Sequence, residues 1–415
     1  MANSLELPAP GGTHANGARH ASHLRGLNLD RVLSVVMAHS GTFTRAELSD
    51  ATGLSAPTVG GLAAHLISAG LITDLGAGPS RGGRRPSVME FNARHGFVAG
   101  IDLGPTRTRL AIADLRAETV AHHIVPTPST LSPEGLLTSM ATELRALACS
   151  AGVQYERIVV VTAGAPGPVN LETGVVSLAP NLPGWRDVPL RSLFRKALGT
   201  AVVVENDVNL ALLGERWRGA AQGHDTCALI FVGTGLGAAF VINGRLHHGR
   251  HYMAGEIGVM CMAPEYVNVD FGPRGCLEKL AGLDGLRARW PDAEREDPAH
   301  WVVDLIAAAD AGDRTAQRAV DDTAQLIGIA AANVCTVVDP SIVVLGGAMF
   351  AQAGRLVALV NSVVQKLART SFEVVPSELG KEAPLAGCLL VAATEARARL
   401  RQRFSQSAEA MEALQ

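Results

Sequence analysis

The sequence has little lysine: Lys196, Lys279, Lys366 and Lys381 are its only ones in 415 residues. It is also poor in aromatic residues, which make up 4%. With a net charge of −3 the chain cannot coat a nucleic acid over a broad face, so any such contact must be local. Hydrophobic residues reach 47%, yet no apolar run attains the roughly 18 residues of a membrane span, which argues against a membrane partner. The opening stretch, Met1 to Gly26, lacks the apolar core of a signal peptide and carries Pro, Gly, His and Asn. It reads as a disordered tail, residues 1–25, ahead of a cytoplasmic protein. Paired cysteines are missing too. Cys149, Cys227, Cys261, Cys276, Cys335 and Cys388 show no C-x-x-C spacing, which excludes that redox motif and points to free thiols.

The length suits two or three domains. From Asn28 to His39, Leu29, Val32, Leu33, Val35 and Val36 recur at helical spacing, with Asn28 as cap. Thr44 followed by Glu47 makes a capping box for a second helix that ends at Gly53. Ser55 caps a third, with Pro57 in its first turn, running through Val59, Leu62 and Leu66 to Gly70. Two short helices joined by Thr52-Gly53-Leu54-Ser55 match a helix-turn-helix. Leu71–Thr73 and Ser87–Phe91 then read as a hairpin, with Arg81, Arg84 and Arg85 between them on an Arg-Gly wing suited to a narrow minor groove. Separately, these pieces would fit a plain helical bundle and a solvated loop. In this order they predict a winged helix-turn-helix over residues 26–92 that binds double-stranded DNA. Its third helix opens Ala56-Pro57-Thr58-Val59-Gly60-Gly61, without Arg, Asn or Gln for bidentate base contacts. Readout therefore falls to Ser55, Thr58, the wing arginines and DNA shape.

Beyond Asn92 the segments alternate between strand and helix patterns, as in α/β architecture. Strands are expected at 97–103, 109–114, 157–163, 201–205, 227–232, 238–242 and 341–345, and helices at 132–151, 208–218, 315–338 and 353–368. Small residues at 328–332 would let another element pack closely. Three Gly-rich turns stand at strand ends: Asp102-Leu103-Gly104-Pro105-Thr106, Gly233-Thr234-Gly235-Leu236-Gly237 and Gly346-Gly347-Ala348. A lone turn of this kind is weak evidence. Together with Glu205-Asn206-Asp207-Val208-Asn209 between the first and second, they form a more specific set.

With these motifs the chain resembles the ROK family of repressors, open reading frames and kinases, over roughly residues 28–400. The resemblance implies a two-lobed actin-like ATPase (sugar-kinase-type) fold behind the winged helix. The first lobe would be 93–207, completed by 385–405, and the second 208–384, with effector-site and dimerisation elements. It implies that Asp102, Gly104, Thr106, Gly233, Thr234 and Gly235 are phosphate-binding, in use or vestigial, and that Gly346-Gly347 approaches an adenosine. Asp207 would be the catalytic base if the protein is a kinase. Asn206, Asp207, Glu256 and Glu278 would meet sugar hydroxyls, with Asn181 nearby.

The departures from the family pattern carry as much information. Val259 stands where the family has a zinc-ligating, sugar-contacting His, and Val269 and Phe271 replace two Cys ligands, leaving Cys276 alone. No cofactor is expected, and zinc least of all, since structural zinc takes four N, S or O donors. Cys261, His247, His248 and His251 are near in sequence but have no diagnostic spacing. Pro105 removes one N–H from the first phosphate turn. The expectation is a repressor controlled by a sugar or sugar-derivative effector, acting as a homodimer or dimer of dimers on two-fold sites. The alternatives are an ATP-dependent sugar kinase and an effector-independent DNA-binding protein with a degenerate pocket.

Overall fold

The computed structural model describes residues 13–77, 87–290, 298–351 and 354–412. The wing residues Arg81, Arg84 and Arg85 lie outside the described residues. No helix among the described residues is long and apolar enough to cross a membrane. The chain divides into two compact units.

The first unit comprises Met1–Phe97, Asp114–Glu118 and Ala393–Gln415. Helix α1 spans Thr13–Ala38. It therefore begins inside the segment expected to be disordered, and Asn28, expected as its cap, lies within it. The Ala, Arg and Leu residues of this stretch are good helix formers and outweigh its single Asn and Gly positions. Strand β1 (Thr42–Thr44), α2 (Arg45–Thr52), α3 (Ala56–Ser68), β2 (Ile72–Ala77) and β3 (Ser87–Phe91) follow. The capping box is present: Thr44 Oγ1 accepts from the Glu47 amide at 3.3 Å, and Glu47 Oε2 accepts from the Thr44 amide at 2.7 Å. Gly53 closes α2 at φ +66°, a left-handed position that suits glycine. The strands pair in the order β1-β3-β2, with Phe43 opposite Met89 and Ile72 opposite Phe91. Leu29, Val32, Leu33 and Val36 of α1 are buried, as are Phe43, Leu48, Val59, Leu62, Leu66 and Met89, so the helical periodicity of the sequence marks the core face.

The second unit comprises Val98–Ala113 and Thr119–Ala392. Its first half holds β4 (Phe97–Leu103), β5 (Arg107–Asp114), β6 (Thr119–Pro126), α4 (Pro133–Ser150), β7 (Ile158–Ala165), β8 (Val169–Asn170), β9 (Val175–Leu178), β10 (Arg186–Val188), α5 (Leu190–Leu198) and β11 (Ala201–Asn206). Then come α6 (Asp207–Arg218), β12 (Cys227–Val232), β13 (Leu236–Ile242), β14 (Arg245–Leu246), α7 (Cys276–Ala281), α8 (Leu283–Arg289), α9 (Pro298–Asp310), α10 (Arg314–Val338), β15 (Ile342–Gly346), α11 (Gly354–Leu367), β16 (Glu373–Pro376) and α12 (Ala383–Glu412). Two five-stranded sheets carry the lobes, in the orders β11-β7-β4-β5-β6 and β14-β13-β12-β15-β16, and β10-β9-β8 form a smaller sheet. β12 runs antiparallel to β13 and parallel to β15. The small residues of α10 are needed where α11 crosses, since a Cβ on Gly328 would stand 2.5 Å from that of Val363.

The chain passes from one five-stranded sheet to the other between β11 and β12, and of the segment 385–405, expected to complete the first lobe, the part from Ala393 lies in the first unit. There α12 packs on the helices of that unit. Arg401 donates to both carboxylate oxygens of Asp30 on α1, at 2.8 and 2.7 Å, and the Phe404 ring meets His65 of α3 edge-on. The start of α12 packs instead beneath the lobes, where glycines permit backbone-close contact. A Cβ on Gly387 would lie 1.9 Å from the Leu210 carbonyl oxygen of α6, and one on Gly100 of β4 would lie 2.9 Å from Cys388 Cβ. These contacts fix the start of α6 against the first sheet.

Candidate functional site

A cleft of about 300 Å³ is lined by Asn181, Asn206, Asp207, Glu256 and Glu278, with the Gly233–Gly237 turn and Val259. Each polar residue is placed by local chemistry. Asn206 is the N-cap of α6. Its Oδ1 accepts from the amides of Val208 and Asn209 at 2.9 and 3.0 Å, and its Nδ2 donates to the Gly167 carbonyl at 3.0 Å. That oxygen is committed to the helix start, while Nδ2 keeps a second N–H beyond the one given to Gly167, so Asn206 builds the cleft and retains one donor for a hydroxyl. Asp207 follows as the first residue of α6. Glu278, on α7, accepts from the Leu236 amide through Oε2 at 2.8 Å and has Arg274 Nε 3.7 Å from Oε1. Gly235 leaves room for this arrangement: a Cβ there would crowd Asn181 Nδ2 at 3.3 Å and Glu278 Oε2 at 3.4 Å.

Glu256 is held by the residue before it. Gly255, at φ +94°, accepts from the Ala238 amide at 2.7 Å, and a Cβ there would strike the Ala238 oxygen. A second anchor reaches the same loop from the other sheet. Buried Glu205, at the end of β11, accepts through Oε1 from the Asn206 amide (2.8 Å) and Asn209 Nδ2 (2.9 Å), while Oε2 meets His248 Nε2 at 2.8 Å. The His248 carbonyl in turn accepts from the Ala254 amide at 3.2 Å. One carboxylate thus positions both the turn that carries Asp207 and the loop that carries Glu256.

The electrostatics follow from this crowding of acids. Burial, then the neighbouring Asp102, then Glu256, push Asp207 up to about 7, against the Val208 N–H. Burial and Glu278 raise Glu256 to about 6. Glu278 is also raised by burial, opposed by the Leu236 N–H and by Arg274. Carboxyls that exchange protons near neutrality can both donate to and accept from hydroxyl groups, which suits a polyhydroxylated ligand.

The expected phosphate residues divide. Gly233, Thr234 and Gly235 line the cleft, and Thr106 and Thr234 line an adjoining cavity of about 350 Å³ with Arg274 and Arg287. Asp102 is corrected: it is buried beneath, paired with Arg109 at 3.2 Å, and burial raises it to about 6 against that arginine. Gly104 turns its amide to the Asp102 carbonyl at 3.2 Å, and a Cβ on it would lie 2.5 Å from the Arg107 oxygen. Both serve the turn itself. Gly347 likewise has a reason within the fold, since its Cβ would lie 2.4 Å from the Val232 oxygen. In the reader, Ser55 Oγ accepts from the Thr58 amide at 3.4 Å and shares a 2.8 Å hydrogen bond with the Thr58 hydroxyl.

Zinc does not fit the donor set. Val259, Val269 and Phe271 offer no donor atoms, the Cys261 thiol donates to the Ala263 carbonyl, and His248 is engaged by Glu205. Among the described residues no group of three or more His, Cys, Asp or Glu is placed to hold a metal ion. Sequence reasoning missed three residues of the site. His248 stood out only as a possible metal ligand, Arg274 was legible as the residue four before Glu278, and Met253 gave no signal.

Two lobes with glycine turns facing an acid-lined cleft define an actin-like sugar-kinase architecture, here in one chain with a winged helix-turn-helix. The chain belongs to the ROK family, whose model matches residues 98–395. It is 28% identical over 387 residues to the xylose repressor of Caldicellulosiruptor bescii, covering 88% of this chain and 95% of the repressor. It is 33% identical over 264 residues to the glucokinase of Halalkalibacterium halodurans, covering 60% of this chain and 80% of the kinase. A solved ROK family transcriptional regulator, a homologue of the E. coli MLC protein, shares the fold with a TM-score of 0.72 at 22% identity, over 94% of this chain and 99% of that one.

Proposed function

We propose that the protein is a DNA-binding transcriptional repressor whose winged helix-turn-helix is controlled by a sugar-class effector held among Asp207, Glu256, Glu278 and Asn181. The observation that carries this reading is the capped helix-turn-helix ahead of the lobes. The likeness to the xylose repressor spans 88% of the chain, more than the lobes alone supply, whereas the glucokinase likeness stops at 60%. The effector would shift the population between reader arrangements that do and do not fit an operator. Two-fold operators require two readers, so a homodimer or a dimer of dimers is part of the proposal. Action on DNA places it in the cytoplasm, and the donor set leads us to propose that it works without zinc.

The test is selection of duplexes from a random pool, then gel-shift titration with a panel of sugars and sugar phosphates. Enrichment of one sequence class, with its affinity changed about tenfold by at least one sugar, is expected for a coupling of the usual size. Failure to enrich any sequence refutes the regulator. Enrichment without any sugar effect supports the degenerate-pocket alternative. A kinase reading is favoured by one observation, the Asp207 carboxyl held near 7, a value suited to a general base at neutral pH. Against it stands Pro105 in the phosphate turn. Brisk ATP turnover with a hexose panel would decide for the kinase.

A further inference from the structure

The cleft is not uniformly polar. Val259 and Met253 bracket Glu256 in the chain and line the same cavity as Asp207, Glu256 and Glu278, yet 57% of Val259 and 49% of Met253 remain exposed. Large apolar side chains left open to water inside a concave site gain from anything apolar that covers them. The backbone at Val259 is held close to Glu278: a Cβ on Gly258, the preceding residue, would lie 3.3 Å from Glu278 Cβ, and one on Gly275 would lie 2.5 Å from the Val259 Cα. Pro166, Pro168 and Pro180 add further apolar wall to the same cavity. A free hexose or pentose presents hydroxyls on nearly every carbon. It satisfies the acids but leaves a hydroxyl against Val259 and Met253 without a side-chain partner there.

Building on the sugar-effector reading above, we infer that the effector is a sugar bearing an apolar substituent, with its hydroxyls on the acids and the substituent on Val259 and Met253. Two kinds of molecule share this chemistry: glycosides with an alkyl or aryl aglycone, and deoxy sugars with a methyl group. Met253 adapts to substituents of different shape, since its unbranched thioether repacks readily. Val259 is the stiffer contact, and so it sets the preference.

The experiment is calorimetry on the full chain with D-glucose, D-xylose, their methyl and phenyl β-glycosides, and the 6-deoxy hexoses L-fucose and L-rhamnose beside their parents L-galactose and L-mannose. At least one substituted sugar should bind about tenfold or more tighter than its parent, the discrimination an apolar contact of this size supplies. In Val259→Thr, an isosteric change that adds a hydroxyl, and independently in Met253→Gln, the ratio of the two affinities should fall about fivefold or more. A thermal melt of each variant matching the parent protein establishes that it is folded. Preference among the glycosides or among the deoxy sugars identifies the source of the substituent, and either result supports the inference. Parent sugars binding as tightly as the substituted ones, or a ratio unmoved in both variants, overturns the inference and leaves the sugar-effector reading intact. No binding by any member of the panel overturns the inference, and no sugar effect in the gel-shift titration with sugars and sugar phosphates overturns the sugar-effector reading.

Discussion

Gly60 and Gly61 sit in the interior of α3, the helix proposed to read DNA. A glycine in a helix interior is about 1 kcal/mol less favourable than alanine, and the fold offers no reason to accept that here. Neither residue adopts positive φ, and a Cβ built on either meets nothing within 4 Å. Gly60→Ala combined with Gly61→Ala should therefore stabilise the reader by roughly 1–2 kcal/mol, which raises the unfolding midpoint of a unit this small by several degrees. Gly53→Ala serves as the opposite control, because φ +66° strains any residue with a Cβ. The reason for the glycines then lies outside the protein, in close approach of α3 to DNA. The stabilised variant should bind its operator about tenfold more weakly, as two methyl groups hold the surfaces apart. Its salt slope should stay the same, since no cation is removed. Urea unfolding and gel-shift titration read the two effects separately. Destabilisation would refute the open-space argument, and stabilisation with undiminished DNA affinity would refute the close approach.

The Glu205–His248 pair should show coupling of about 1–3 kcal/mol in a double-mutant cycle of Glu205→Gln and His248→Ala, read by urea unfolding; strict additivity would mean that the two loops are placed independently. Asp207, Asp102 and Glu256 are all raised in the folded state, so they contribute stability fully below their unfolded pKa, about 4, and lose it as pH rises through about 6 to 7. Asp207→Asn should consequently flatten the fall in melting temperature between about pH 4 and pH 7, and a profile identical to that of the parent would show that its carboxyl titrates normally. Replacing Arg84 and Arg85 with Ala should reduce the slope of log affinity against log salt by about 0.9 for each DNA phosphate that these arginines neutralise, an outcome checked by gel shift at four salt concentrations or more. Elemental analysis after dialysis should find no stoichiometric zinc, and about one zinc per chain would point to ligands other than Val259, Val269 and Phe271.

The reader's helices were legible because capping is local chemistry: Thr44 with Glu47, Gly53, and Ser55 ahead of Pro57 all stand within a few residues of the boundaries they set. The main strands of the lobes were visible for a similar reason, as apolar runs ended by glycine turns, and the small residues at 328–332 announced the α10–α11 crossing. What stayed hidden depends on distant partners. The allegiance of α12 past Ala393 rests on Arg401 meeting Asp30, 371 positions away. β6 carries exposed His122, His123 and Ile124, so no apolar alternation marks it. The motif placed Asp207, Glu256 and Glu278 in one cleft, and the structure brings them together. It could not distinguish a side chain that faces the cleft, such as Asp207 just after β11, from one such as Asp102 that is buried under it in β4, because each stands where an apolar strand gives way.

The double duty of Asn206 changes how a sequence in this family can be read. Its side chain starts α6 and ties down Gly167, so natural selection for folding alone would retain it in a chain that had stopped sensing anything. Its presence is silent on whether a ligand is bound. Asp207 is the reverse: a carboxyl forced toward neutrality by its surroundings weakens the fold above pH 7, and drift would replace it readily once nothing outside the fold required it. A living sensor and its fossil would thus share every residue that builds the cleft, and differ first in those the cleft would be more stable without.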